Sequence, residues 1–421
     1  MNLRLPVTVP LLAAFLAFSS PSMAVDLLGQ SRTYLQSREE IDSSKLLPFF
    51  EYLDFKADDV GSKNVSFHFG GWLRYDLRDD STLERNKNSD LQYAYLSIKG
   101  DRADAAMNLG RVLVNEGVAS GQVDGAYVRT ALKGGFGVAA FGGSPVETTF
   151  DDRSGDSVYG GRISHSVEDV YRIGFSYLKE KNNSMDFRKE EGVDLWLRPI
   201  SKVELLGESF YNALTSDWMK HSYYLTLGQF SHLSFRTAYT QISYKDYFTS
   251  ATTTAFKLDP TIIDPNEKLS TIGEEVSFNA GVMTVAADYK KYQYEIAGDA
   301  NYYGGKLTFS SSLKGGLGIA YHRMYGATDK LRYNEYRAYA FTSFGLINVT
   351  ADCLVVRYDE EINGVRNAYA VVLAGGYTLT PKAKIGVDVE YEKNPNFNSD
   401  VRGLIKFVYN FDFVPAAKGR K

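Results

Sequence analysis

One cysteine, three tryptophans and eleven prolines are spread over 421 residues, and each scarcity removes a class of protein. The lone Cys353 excludes an internal disulfide, a thiolate zinc cluster and Cys-x-x-Cys-His haem attachment, so no cofactor is expected on this chain. A single cysteine on an apolar strand acts as a small hydrophobe. The five histidines, His68, His165, His221, His232 and His322, are dispersed without metal-ligand spacing. Gly-x-Ser-x-Gly, His-Glu-x-x-His and phosphate-loop patterns are all missing. No catalytic, cofactor-binding or metal residues are therefore expected, and the chain does not read as an enzyme. The net charge is -4, with no basic cluster of the kind that nucleic-acid partners require. Past Ala24 there is also no uncharged apolar run of about 18 residues, which excludes a transmembrane helix.

Aromatic residues and glycine are abundant instead: 30 Tyr, 25 Phe and 37 Gly. Tyrosine and phenylalanine favour strands, and membrane barrels set them in girdles at both interfaces. A low proline content suits closed sheets, where each proline removes a ladder donor. At the start, Arg4, the apolar stretch Val7 to Phe18 and the small-residue site Ser22-Met23-Ala24 have the form of a secretory leader. Residues 1–24 are expected to be such a signal peptide, its apolar run too short to cross a bilayer.

Period-two alternation recurs along the rest of the chain. Val65, Phe67, Phe69, Leu73, Tyr75 and Leu77 share one face, while Ser66, His68, Trp72, Arg74, Asp76 and Arg78 share the other. The same division runs through Tyr171–Tyr177, Ala383–Tyr391 and the last strand, where Val401, Ile405, Phe407, Tyr409, Phe411 and Phe413 oppose Arg402, Lys406, Asn410 and Asp412. Soluble sandwich strands average about 5–6 residues. These segments approach the roughly 9–11 needed to cross a bilayer at a tilt. Every second connection is tight, as at Gly100-Asp101, Pro199-Ile200, Ala280-Gly281 and Pro381. The others read as longer polar loops, notably 144–156, 181–188, 247–270 and 359–364. Sorting of connections by parity is the mark of an outer-membrane barrel. The expected fold is all-β: a transmembrane antiparallel up-and-down β-barrel of about 20 strands, with short periplasmic turns and longer extracellular loops.

The expected organisation is thus a leader (1–24), an N-terminal periplasmic or lumenal arm (25–63) with an extra strand as the alternative, the barrel (64–413) and a periplasmic C-terminal tail (414–421). If the apolar face meets lipid, the alternate residues line the lumen: Arg74, Asp76, Arg172, Asp194, Arg198, Lys382, Lys384, Asp388, Glu390, Arg402 and Lys406. Charges are tolerated there, whereas Lys or Arg at the lipid midplane costs roughly 2–4 kcal/mol. Both signs are present, which argues against strong ion selectivity. The loop from Asp246 to Ser270, punctuated by Pro260 and Pro265, is the longest; such loops more often stay at the surface, and inward folding to narrow the pore is the alternative. The aromatic final strand, Phe407 to Phe413, resembles the terminal signal read by barrel-insertion machinery, although a basic tail follows it. Outer-membrane lipid and that machinery are therefore expected partners.

One further resemblance rests on Thr33-Tyr34-Leu35-Gln36-Ser37-Arg38, on Leu47-Pro48-Phe49-Phe50-Glu51-Tyr52-Leu53, and on Phe67-His68-Phe69-Gly70-Gly71-Trp72-Leu73-Arg74-Tyr75. These stretches resemble the barrel subunits of bacterial porin–cytochrome conduits. That likeness implies a sheath in the outer membrane, its lumen threaded by a multihaem c-type cytochrome, with further cytochromes in the periplasm and outside. Electrons would pass through the partner's haems to extracellular acceptors such as metals, and this chain would supply insulation and alignment. Two alternatives stand beside it: a general diffusion porin for small hydrophilic solutes, and a hydrophobic-substrate channel with residues 25–63 as a hatch.

Overall fold

The computed structural model describes residues 25–39, 44–79, 87–100, 104–146, 156–249, 263–311, 315–396 and 399–413. The expected leader, the C-terminal tail and most of the 247–270 loop lie outside the described residues. Twenty-two strands form one antiparallel sheet. They are β1 (Asp26–Glu39), β2 (Lys45–Asp58), β3 (Val65–Asp79), β4 (Lys87–Lys99), β5 (Ala106–Glu116), β6 (Ala119–Ala131), β7 (Phe136–Pro145), β8 (Ser157–Val167), β9 (Tyr171–Asn182), β10 (Met185–Ile200) and β11 (Val203–Asn212). The second half comprises β12 (Asp217–Phe230), β13 (Leu233–Ser243), β14 (Lys268–Ala280), β15 (Met283–Tyr294), β16 (Ala300–Ser311), β17 (Gly315–Gly326), β18 (Arg332–Phe344), β19 (Ile347–Ile362), β20 (Val365–Thr380), β21 (Ala383–Lys393) and β22 (Asp400–Phe413). A short helix, α1 (Tyr244–Phe248), follows β13. Each strand pairs with its sequence neighbours, and β1 pairs with β22 from Leu27↔Phe413 to Ser37↔Gly403. The sheet is therefore a closed barrel, and closure removes the unpaired edges that a long sheet would otherwise expose.

The register divides the residues into two faces. Phe67, Phe69, Leu73 and Tyr75 of β3 face the same way as Leu53 and Phe55 of β2 and Ile405, Phe407 and Phe413 of β22. Around the wall this outer face carries exposed apolar side chains, among them Ile163, Phe175, Ile319, Leu373 and Val401. Cys353 belongs to it, between Ala338 and Val371. The inner face carries most of the ion pairs, such as Arg32–Asp54, Arg74–Asp76 and Lys406–Asp388. Among the described residues no helix is long and apolar enough to cross a membrane.

The twenty strands expected from alternation are β3 to β22. Residues 25–63, expected as an arm, instead supply β1 and β2, which complete the wall. Alternation fails in β2 because both faces are apolar there: Leu46, Phe50 and Tyr52 point one way and Leu47, Phe49 and Leu53 the other. Pro48 adds to the disguise. It sits where the β2–β3 register shifts, the Leu47 amide donating to Asp76 Oδ1 at 2.9 Å. Glu51 stands on the outer face, where a charge is unexpected. Its carboxylate accepts hydrogen bonds from Ser31 Oγ and Thr33 Oγ1, each 2.6 Å long.

Two expected loops are also strand. Segments 181–188 and 359–364 form the ends of β9–β10 and β19–β20, which turn at Asn183-Ser184 and Asn363-Gly364. Both residues of each turn have positive φ (49° and 68°; 51° and 77°), the twist that suits a two-residue hairpin. Tight turns therefore occur at both ends of the barrel, and the longest connection, between β13 and β14, lies at the end away from the termini.

Candidate functional site

The lumen wall is held by cross-strand ion pairs. Arg32 reaches Asp54 at 2.5 Å, Lys220 reaches Glu208 at 2.5 Å and Arg337 reaches Asp352 at 2.5 Å. Opposed charges on one face of adjacent strands satisfy each other without crossing the lumen. Arg188 lies beside Glu190 at 2.8 Å and Glu180 at 3.7 Å, both carboxylates buried.

The residues expected to line the lumen fall on this face as follows. Arg74 pairs with Asp76 at 2.8 Å, and Lys406 with Asp388 at 2.8 Å. Glu390 stands opposite Arg402, which also meets Asp400 at 2.7 Å and Glu392 at 2.5 Å. Asp194 takes both arms of Arg162, at 2.9 and 2.5 Å. Arg172, Arg198 and Lys384 are exposed near the ends of their strands. Lys382 lies in the β20–β21 turn and pairs with Asp412. The set is thus spread around the wall and does not converge on one point. The histidines do not converge either. His68, His221 and His322 bond to Ser66, Ser209 and Asp288 respectively, and no metal-holding group of acidic, His or Cys side chains occurs among the described residues.

What does converge is the β5–β6 hairpin. The β4–β5 ladder runs from Lys99↔Ala106 to Ala94↔Arg111 and stops, although β4 continues to Lys87 beside β3. Beyond that rung the hairpin leaves the wall and folds inward across β7 and β8. At its tip the Val118 amide donates to Ser176 Oγ on β9 at 2.9 Å. Val112, Val114 and Val123 pack against Phe141, Val158 and Leu178 in an apolar layer in which Val112 is 1% exposed and Leu178 3%. By register all six belong to the inner face, so the flap closes like a page, inner face against inner face. Its back, including the 56%-exposed Leu113, now faces open space. Beside the apolar layer, Tyr127 donates to Glu116 at 2.5 Å, and Arg162 approaches Glu116 at 3.8 Å.

Glycine makes the fold line. Gly110, Gly125 and Gly143 stand in register on β5, β6 and β7. A Cβ on Gly125 would lie 2.1 Å from the Gly142 carbonyl oxygen, and one on Gly143 would lie 2.3 Å from that of Asp124. Gly110 has φ +126°, which side-chain-bearing residues rarely adopt. The departure of β5 strips β4 of its partner, and side chains take over. Arg111 Nη1 donates to the Leu91 carbonyl at 2.9 Å, and Gln122 Nε2 to that of Gln92 at 2.9 Å. Buried or edge carbonyls need such partners.

Strand alternation alone did not reveal the flap. Its signal in the sequence is the run Val112-Leu113-Val114, apolar on both faces, flanked by the glycines. The long loop 247–270, for which inward folding is the alternative to a surface position, lies largely outside the described residues. Its described ends are anchored: Glu267 accepts from the amides of Lys268, Ile296 and Ala297 at 3.1, 3.1 and 2.9 Å.

No protein-family model and no curated protein matches this sequence. Solved structures do match in fold. The P pilus usher (PapC) translocation pore is 9% identical, covers 91% of this chain and 99% of its own, and has a TM-score of 0.53. The siderophore receptor PirA from Pseudomonas aeruginosa is 12% identical over 91% and 80%, with a TM-score of 0.57. A mutant of the ferric enterobactin receptor (PfeA) from the same organism is 8% identical over 92% and 81%, also at 0.57. At these identities the likeness is one of architecture: this chain shares the large, closed, antiparallel barrel of these pores and receptors.

Proposed function

We propose that this chain is a bacterial outer-membrane channel that acts as the sheath of a multihaem c-type cytochrome, conducting electrons across the membrane through its partner's haems. The observation that carries this reading is the girth of the lumen set against what fills it. Twenty-two strands spaced about 4.8 Å apart and tilted by about 40° make a backbone cylinder on the order of 40 Å across. Barrels of about 16–18 strands already hold an aqueous channel. Among the described residues only the β5–β6 flap enters this one. A folded domain of about 100 residues, with a radius of gyration near 13 Å, fits such a space. An unfilled hole of this width would leak, so an occupant is the economical reading. The apolar outer face and its tyrosines meet lipid, and the aromatic β22 engages the insertion machinery.

The flap favours a second reading, a diffusion porin narrowed by its own hairpin. One experiment separates the two: purify the protein from its native membrane in mild detergent and measure haem absorbance per barrel. The sheath reading expects several haems per barrel, and a large conductance in planar bilayers only once the cytochrome is stripped away. Haem-free protein that conducts small ions as isolated would overturn it in favour of the porin.

A further inference from the structure

The outer face has a vertical order above its apolar zone. On strands running away from the chain termini, a tyrosine is followed two residues later, on the same face, by a cation: Tyr177 by Lys179, Tyr289 by Lys291, Tyr321 by Arg323 and Tyr391 by Lys393. In three cases the cation also faces a tyrosine directly across the ladder, as in Lys179↔Tyr159, Arg323↔Tyr303 and Lys393↔Tyr369. Below them stand exposed apolar side chains such as Phe175 and Ile319.

Carboxylates pair three of these four cations, Asp299 taking Lys291 at 3.4 Å, but leave other cations on the face unpaired. Asp186 takes Lys179 at 2.9 Å, yet Lys189 stands directly opposite Lys179, a like-charge pairing that disfavours the sheet unless an anion bridges it. Asp359 takes Arg323 at 2.5 Å, while Arg357 lies exposed one strand further on, in the same rung through Asn334. Lys189, Arg357 and Lys393 have no ion-pair partner among the described residues.

We propose that these cations form a collar binding the phosphate groups of lipid headgroups in the leaflet at the loop-bearing end of the barrel. The inference rests on the membrane reading above. The order apolar, aromatic, cationic reproduces the order of hydrocarbon, interface and phosphate in a leaflet. The cations share their rungs with tyrosines, the residues of the interface, and cations in that plane meet phosphate where it is concentrated.

The test is a triple variant, Lys189→Gln, Arg357→Gln and Lys393→Gln, which leaves the observed ion pairs intact. Both proteins are inserted into phosphatidylcholine vesicles doped with phosphatidic acid, and the lipids retained on gentle extraction are counted by native mass spectrometry. Native protein should enrich phosphatidic acid over phosphatidylcholine. At about fivefold per cation, the variant should lose on the order of a hundredfold in retention. Equal enrichment by both proteins overturns the proposal. So does abolition of the enrichment by millimolar inorganic phosphate, which would make this a site for any anion. Failure of both proteins to enter vesicles would instead refute the membrane reading.

Discussion

The flap makes a prediction that can be worked from its contacts. Take a protein in which Cys353→Ala removes the native thiol and Leu178→Cys places one on the wall beneath the flap, where Leu178 is 3% exposed. Adding Val114→Asp then puts a carboxylate into the apolar layer opposite it. Losing the buried valine removes about 1.5–3 kcal/mol, and an unpaired buried carboxylate costs several kcal/mol more. Together these approach the roughly 5.5 kcal/mol that carries a two-state equilibrium from 1:99 to 99:1. The flap should undock while the rest of the barrel stays closed, because β5 below Arg111 remains paired to β4. The assay is the rate at which a charged, membrane-impermeant maleimide labels the thiol of folded protein in vesicles. With Val114 in place labelling should be slow. With Val114→Asp it should accelerate by about two orders of magnitude, as expected when the reactive state goes from rare to dominant. Equal, fast labelling in both proteins would refute the docking of the hairpin on β7–β9.

Two further outcomes follow from the same geometry. Gly125→Val should lower the yield of folded barrel and its midpoint in urea by an amount typical of overpacking, about 1–3 kcal/mol or more, since its Cβ meets backbone at 2.1 Å; an unchanged midpoint would mean that the fold line tolerates side chains. Deleting residues 26–58 should abolish the heat-modifiable folded band on gels, because β3 and β22 would lose their partners, whereas a dispensable arm would leave that band in place.

Which parts of this architecture were legible along the chain follows from what alternation measures. β3, β9, β21 and β22 have one greasy side and one charged side, and a period of two exposes them at once. The charged set on these strands was readable for the same reason, as the side that could not face the apolar belt. β2 was not, because Pro48 and Phe50 are apolar on the inner face and Glu51 is acidic on the outer, which reverses the pattern. The hairpins at Asn183-Ser184 and Asn363-Gly364 look like loops in the sequence because their flanks, such as Lys181-Asn182 and Glu360-Glu361, are polar on both faces where the strands rise past the apolar zone.

The chain by itself determined the closed-sheet class, since repeated two-faced strands without a long apolar helix have few other ways to satisfy their backbone. It also determined the positions of twenty strands and the face on which charge collects. Only the tertiary structure decided that β1 and β2 complete the ring, that arginines such as Arg111, Arg162 and Arg337 find particular carboxylates, and that β5–β6 leaves the wall. These depend on which strands become neighbours and where three glycines come into register. Such contacts join residues far apart in the chain, where local periodicity carries no information.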